Sequence, residues 1–416
     1  MTHTLEELIP DYIQGLPAYV PGKPVEEVEQ DLKIHAVKLA SNENPLGPSP
    51  KAMEAARRAL GEANWYPDGG SKRLREVLAA RSNVRFEEVF VGLGSSEIID
   101  LASRVLLRPG LVGITSEGSF ALFAIAIRAS GGTLIQTPMR DYAFDLDAIA
   151  AAITPQTRVV YIANQNNPTG TAFGAAEFSA FLKKVPGDVL VVLDEAYREY
   201  AARFDLPDAL KLFREYNNIL TLRTFSKVYG LAGLRIGYGI GHPTLVAEMN
   251  KLRTPFNVTS VGQAAALAAL DDDEHVRRSV ESNRVERRRL FDELGKLGLS
   301  PVPSETNFLF VPFGPHDDAH RADSARSHGD LSSELSADVD ERDAHRHAIS
   351  TATVDARSRI DAKRLCDGLL REGVIVRPLA WMGFPEAIRI SVGTPAENTK
   401  LLAALASALP RQSSRE

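Results

Sequence analysis

Val189-Leu190-Val191-Val192-Leu193-Asp194 is a run of five apolar residues closed by a carboxylate. A strand with one face in water alternates apolar and polar positions; a strand covered on both faces does not. This run therefore reads as the interior of a sheet with helices on either side. Its surroundings repeat the pattern. Short apolar runs at 88–91, 111–115, 133–136, 158–163, 219–223 and 235–240 alternate with helix-compatible stretches such as 96–107 and 175–184. That alternation predicts an α/β fold with a mostly parallel central sheet. Ligands of such sheets gather outside the carboxyl ends of the strands, so Asp194 stands where a ligand lies.

Beyond the sheet, Asp271 to Leu297 is a long charged helical stretch ending near Gly295 and Gly298, and it reads as a connector. Strand candidates follow at 306–311, 373–377 and 387–392, with a helix from Ala362 to Arg371. Three parts are predicted: an N-terminal arm with part of a small domain over 1–45, a large domain over 46–280, and a smaller α+β domain over 281–416. Residues 314–358 interrupt the last part. They hold ten Asp/Glu, five Arg, five of the nine histidines and no aromatic residue. Such a stretch buries too little apolar surface to offset the entropy of ordering, which predicts a disordered or loosely helical surface insertion. Its histidines lack the spacing of a defined metal site and read as solvated, so no metal is expected.

Composition removes several function classes. The formal charge of −6 lies almost wholly in that insertion, which gives no support for nucleic-acid binding. No stretch approaches the roughly 18 apolar residues of a membrane span, and the polar, acidic start lacks the pattern of a secretory signal. One cysteine, Cys366, cannot form an internal disulfide, which fits a reducing compartment and a cytoplasmic protein.

The chemistry concentrates after the apolar stretch that ends at Arg223. Thr224-Phe225-Ser226-Lys227 is followed by Gly230-Leu231-Ala232-Gly233-Leu234-Arg235. Two hydroxyls, an amine and a guanidinium at a strand's carboxyl end suit a phosphate-bearing aldehyde: Lys227 can form a Schiff base while Thr224, Ser226 and Arg235 hold the phosphate. The segment resembles the lysine motif of fold-type I aminotransferases that use pyridoxal 5'-phosphate. Asn166-Asn167-Pro168-Thr169-Gly170 and Asp194-Glu195-Ala196-Tyr197 resemble two further motifs of that family, in the same order. Taken alone, Asp194 reads as a helix N-cap and Asn167 as a turn residue; the motifs in order point to the other roles.

The resemblance implies a role for each position. Asp194 would face the pyridine nitrogen and keep it protonated, while Asn167 and Tyr197 would bond the ring's 3-oxygen. Val89-Phe90-Val91-Gly92-Leu93-Gly94-Ser95-Ser96 reads as strand, glycine turn and helix start, where backbone N–H groups favour an anion. By the same resemblance Gly94, Ser95 and Ser96 form the main phosphate cradle, and Phe120 stacks on the ring.

Leu39-Ala40-Ser41-Asn42-Glu43-Asn44-Pro45, Trp65-Tyr66-Pro67-Asp68-Gly69-Gly70 and Pro17-Ala18-Tyr19-Val20-Pro21-Gly22 are similar to segments of histidinol-phosphate aminotransferases. That likeness implies a homodimer in which Tyr66 reaches the partner's cofactor phosphate and Tyr19 the neighbouring substrate pocket. Arg389 resembles the residue that binds a substrate carboxylate, and Arg377 is the second guanidinium that a phosphate-bearing amine asks for. The implied reaction is ping-pong transfer of an amino group between histidinol phosphate and 2-oxoglutarate. Two other activities share these motifs: an aromatic amino-acid aminotransferase and a phosphothreonine decarboxylase.

Overall fold

A computed structural model describes residues 5–16, 25–313 and 360–409. Tyr19, the segment around it and the insertion at 314–358 lie outside these residues. Across the large sheet the strands run Val89–Gly92, Gly237–Ile240, Ile219–Thr224, Leu190–Asp194, Thr157–Ala163, Val112–Ser116 and Thr133–Thr137. Gly237–Ile240 is antiparallel to both of its neighbours, and the other strands are mutually parallel. All seven predicted strands are present, displaced by no more than two residues at either end.

The sheet interior follows from the apolar runs. Val191, Val192 and Leu193 are fully buried, as are Val159 to Ile162 in the adjoining strand. Helices Gly94–Leu106, Ala121–Ala129 and Ala175–Leu182 contribute Ile98, Ile99, Phe123, Phe178 and Phe181 to the same cluster. Burying one such side chain is worth about 1.5–3 kcal/mol, so the central strands are firmly held.

The long helix runs Asp273–Lys296, with Asp272 accepting from the His275 N–H at its start. Its buried stripe is His275, Ser279, Asn283, Glu286, Leu290 and Leu294, a spacing of three and four that keeps one face inward. The stripe is polar in its first half and apolar in its second. Leu290 and Leu294 join a separate apolar cluster with Leu309, Val311, Leu369, Val374, Ile390 and Leu405. Within that cluster lies a three-stranded antiparallel sheet with Ala387–Ser391 between Phe308–Pro312 and Arg377–Pro378.

One expectation needs correcting. The predicted strand 373–377 is two short pieces with different partners. Val374–Ile375 pairs in parallel with Val37–Lys38 from the N-terminal region, whereas Arg377–Pro378 pairs with Ala387–Ser391. An apolar run records burial, and here burial continues through Val376 while the hydrogen-bond partner changes.

Gly230 shows how tightly the N-terminal segment lies against the lysine loop. It has φ +70°, and a Cβ there would sit 2.3 Å from the Gly47 carbonyl oxygen and 2.8 Å from Pro48 Cα. Both the dihedral and the close backbone approach require glycine. Gly230→Ala is therefore expected to cost at least ~1–3 kcal/mol from dihedral strain alone, read as a lower urea midpoint with unchanged slope. An unaltered midpoint would contradict the close approach.

Candidate active site

The carboxyl edge of the large sheet opens into a cavity of about 240 Å³. Parallel strands bring their chain ends to this one edge. Val89–Gly92 leads to Gly94, Ser95 and Ser96; Val112–Ser116 to Phe120; Thr157–Ala163 to Asn167; Leu190–Asp194 to Asp194 and Tyr197; Ile219–Thr224 to Thr224, Ser226 and Lys227. The antiparallel strand begins where the others end, which sets Arg235 at the same edge. All eleven of these residues line the cavity.

One side is built for an anion. The helix Gly94–Leu106 points its N-terminus inward, and the Leu93 N–H is already capped by the Glu97 carboxylate at 2.7 Å. A Cβ on Gly94 would lie 2.9 Å from Arg235 Nη2, and one on Gly237 would lie 2.8 Å from Ser95 N. Glycine at both positions lets guanidinium and helix start approach closely. The Ser226 N–H donates to Thr224 Oγ1 at 3.1 Å, and the Thr224 hydroxyl donates to Ser226 Oγ at 3.0 Å. The Ser226 hydroxyl proton is then left for the cavity. Backbone amides, one hydroxyl and one guanidinium are donors whose chemistry suits an anion.

Asp194 is 5% exposed and accepts from the Ala196 N–H at 3.0 Å. Burial pushes its carboxyl up to about 7, against the lowering effects of that N–H and of the Lys227 ammonium; nearby Glu195 pushes it further up. Glu195 is itself paired. Its Oε2 accepts from Arg223 Nε at 2.9 Å and Nη2 at 2.8 Å, and its Oε1 from Arg198 at 2.7 Å. Lys227 Nζ donates to the Ser41 carbonyl at 3.2 Å and lies 5.4 Å from the centre of the Tyr197 ring.

Asn167 has a fixed polarity. Arg389 Nη1 donates to Asn167 Oδ1, so the Asn167 amine end remains for the cavity. Arg389 Nη2 donates to the Ala40 carbonyl, and its guanidinium lies 5.3 Å from the Phe308 ring centre. Arg377 is directly opposite Arg389 across the small sheet, with its guanidinium 4.9 Å from the Trp381 ring centre. Opposed residues share a sheet face, so the two cations are neighbours at the margin and not among the lining residues. Tyr66 is also outside the cavity. It is 81% exposed, its ring stacked on Phe256 at 4.7 Å.

The structure adds Ser41, Glu43 and Gln165 to the wall. Gln165 Oε1 is buried without a hydrogen-bond partner among the described residues. No motif singles out Gln165; its one signal is adjacency to the Asn166-Asn167-Pro168 turn.

Residues 34–405 match the family model for aminotransferase class I and II. The chain belongs to that family. Among curated relatives, a histidinol-phosphate aminotransferase 2 of Pseudomonas fluorescens is 44% identical over 96% of both chains. A histidinol-phosphate aminotransferase 2 of Ralstonia nicotianae is 43% identical, again over 96% of both. Among solved structures, the chain resembles histidinol-phosphate aminotransferase from Sinorhizobium meliloti in complex with pyridoxal 5'-phosphate. There the TM-score is 0.79 at 29% identity, covering 96% of this chain and 97% of that one. In this family the chain is a transaminase, and its mixed α/β sheet is the family's fold.

Asp194 gives a pH-dependent prediction for protein stripped of small-molecule ligand. An acid whose pKa is higher folded than unfolded contributes stability that is complete below its unfolded value, near pH 4, and is lost as pH rises through about 7. Asp194→Asn removes that loss. The variant should be more stable than the unaltered protein at pH 7.5, on the order of a few kcal/mol, with the gap closing toward pH 4. Denaturant midpoints across that range measure it, and a gap independent of pH would contradict the burial of a charged Asp194.

Proposed function

We propose that this chain moves an amino group between histidinol phosphate and 2-oxoglutarate, with pyridoxal 5'-phosphate held in the cavity. The observation that carries the reading is the shared wall: one cavity has a lysine amine, a buried carboxylate and an anion cradle. The chemistry of this donor set fits the cofactor. Gly94, Ser95, Ser96, Ser226 and Arg235 would hold its phosphate, with Thr224 orienting Ser226. Asn167 and Tyr197 would donate to its ring oxygen, and Phe120 would cover its face. Asp194 would face its ring nitrogen, a cation that gives the carboxylate the partner its burial demands. When bound, the cofactor supplies an aldehyde for an amine and a protonated ring that draws electrons from the substrate Cα.

The chain's own groups do the rest. Lys227 Nζ would accept the proton from the substrate Cα. Arg389 and Arg377 bind the phosphate of histidinol phosphate, a substrate with no α-carboxylate to occupy Arg389. Their adjacency across the small sheet supports this, since one dianion can meet both guanidinia. The exposed Trp65 and Tyr66 beside Phe256 support a homodimer interface through which Tyr66 reaches the partner's phosphate site. Tyr19 is assigned to the neighbouring substrate pocket on the family likeness alone. The apolar clusters support a large domain over 46–280 and a small one over 281–416 with the arm 1–45. Among the described residues no helix is long and apolar enough to cross a membrane. A cytoplasmic place fits a biosynthetic enzyme of this kind.

A substrate screen with 2-oxoglutarate as acceptor tests the assignment. Each charged hydrogen bond is worth about 1.5–3 kcal/mol, so kcat/KM for histidinol phosphate should exceed that for phenylalanine by roughly 100-fold or more. Preference for phenylalanine would contradict it. So would release of carbon dioxide from phosphothreonine with no oxo acid present.

A further inference from the structure

Asn42 lies outside the cavity wall, yet it holds a cavity residue. Its side-chain amide Nδ2 donates to the Tyr197 hydroxyl at 3.0 Å. Its Oδ1 accepts from the Ser391 hydroxyl at 2.9 Å, and its backbone N–H donates to the same Ser391 oxygen at 2.8 Å. The Asn42 carbonyl accepts from Asn307 Nδ2 at 3.0 Å. The residue is 1% exposed and has φ +57°, a dihedral that asparagine tolerates better than most side chains.

We infer that Asn42 is a positioning residue that fixes the Tyr197 phenol as a hydrogen-bond donor toward the cavity. The inference rests on the reading that Tyr197 faces the cofactor's ring oxygen. Its logic is a chain of donors with one fixed end. A backbone N–H can only donate, so the Ser391 oxygen accepts from Asn42 N. The buried Ser391 hydroxyl then needs an acceptor for its own proton, and Asn42 Oδ1 is in place. That sets the amide: Oδ1 toward Ser391, Nδ2 toward Tyr197. A phenol oxygen that accepts from Nδ2 keeps its single proton for another acceptor, and Tyr197 lines the cavity. With the amide turned over, Oδ1 would draw the phenol proton away from the cavity. Ser391 and Arg389 share the central strand of the small sheet, so that one strand sets the donor sense of both Tyr197 and Asn167.

The test reverses the polarity without changing size. Asn42→Asp keeps the shape and tolerates the same dihedral, but presents only acceptors to Ser391 and Tyr197. The readout is the pH midpoint at which the visible band of the bound cofactor titrates. A hydrogen bond donated to an anionic oxygen favours the anion, so losing it should raise that midpoint by about one pH unit. In a Tyr197→Phe background, Asn42→Gly, which introduces no charge, should add no further shift, because the group it acts through is gone. Asn42→Gly, which keeps the dihedral and backbone bonds, should shift the midpoint in the same direction and serves if the Asp variant does not fold. An equal shift with and without the Tyr197 hydroxyl, or no shift in folded variants that retain the band, would overturn the inference. A band absent from the unaltered protein, or surviving Lys227→Ala, would overturn the cofactor reading and this inference with it.

Discussion

The parallel register of Leu190–Asp194 against Ile219–Thr224 is the constraint on which the site depends. It pairs Asp194 with Leu222, two residues before Thr224, so the carboxylate and the lysine loop emerge at one edge. Just beyond the pairing, the Glu195 N–H donates to the Leu222 carbonyl at 2.9 Å. The Glu195 carboxylate grips Arg223 twice. A slip of one residue would turn every side chain to the opposite face and carry Asp194 out of the cavity. The apolar runs resist that slip because both faces of these strands are covered.

A second principle governs the polar groups. Around the cavity, acceptors are consumed by neighbours and donors are left over. Arg389 takes the Asn167 oxygen, Asn42 takes the lone pair of Tyr197, and Thr224 takes the Ser226 N–H while giving its own proton to Ser226. On this part of the wall the result is a set of protons offered to an anionic ligand, while Asp194, Glu43 and the unpartnered Gln165 Oε1 are acceptors. A donor set aligned before a ligand arrives loses little in reorganisation when one binds. Much of this alignment comes from distant sequence: Asn42 reaches Tyr197 and Arg389 reaches Asn167, held in turn by Ser391 and the Ala40 carbonyl.

The large sheet is legible in the sequence because its strands are short, apolar and separated by helices, and because β-structure covered on both faces leaves no alternation to misread. The lining residues are legible for a related reason. A parallel sheet delivers the residue after each strand to a common edge, which places Asp194 and Lys227 together, while Gly94 joins them through the family resemblance. Pairing partners are less readable: burial through Val374 to Val376 conceals the change of partner between Ile375 and Arg377. Gln165 escapes sequence reasoning altogether, and Asn42 is visible only as part of a motif, since an amide gives no sign of which neighbour it faces. Tyr66 and Arg377 are visible as motif residues, but their placement outside the cavity wall depends on how separate segments pack.

The central claim is that Lys227 carries the cofactor. Reducing the purified protein with borohydride, digesting it and locating the modified lysine by mass spectrometry tests it directly. The account predicts a phosphopyridoxyl group on the peptide containing Thr224-Phe225-Ser226-Lys227, attached at Lys227. A label at any other lysine, or none in protein that retains transaminase activity, would contradict it.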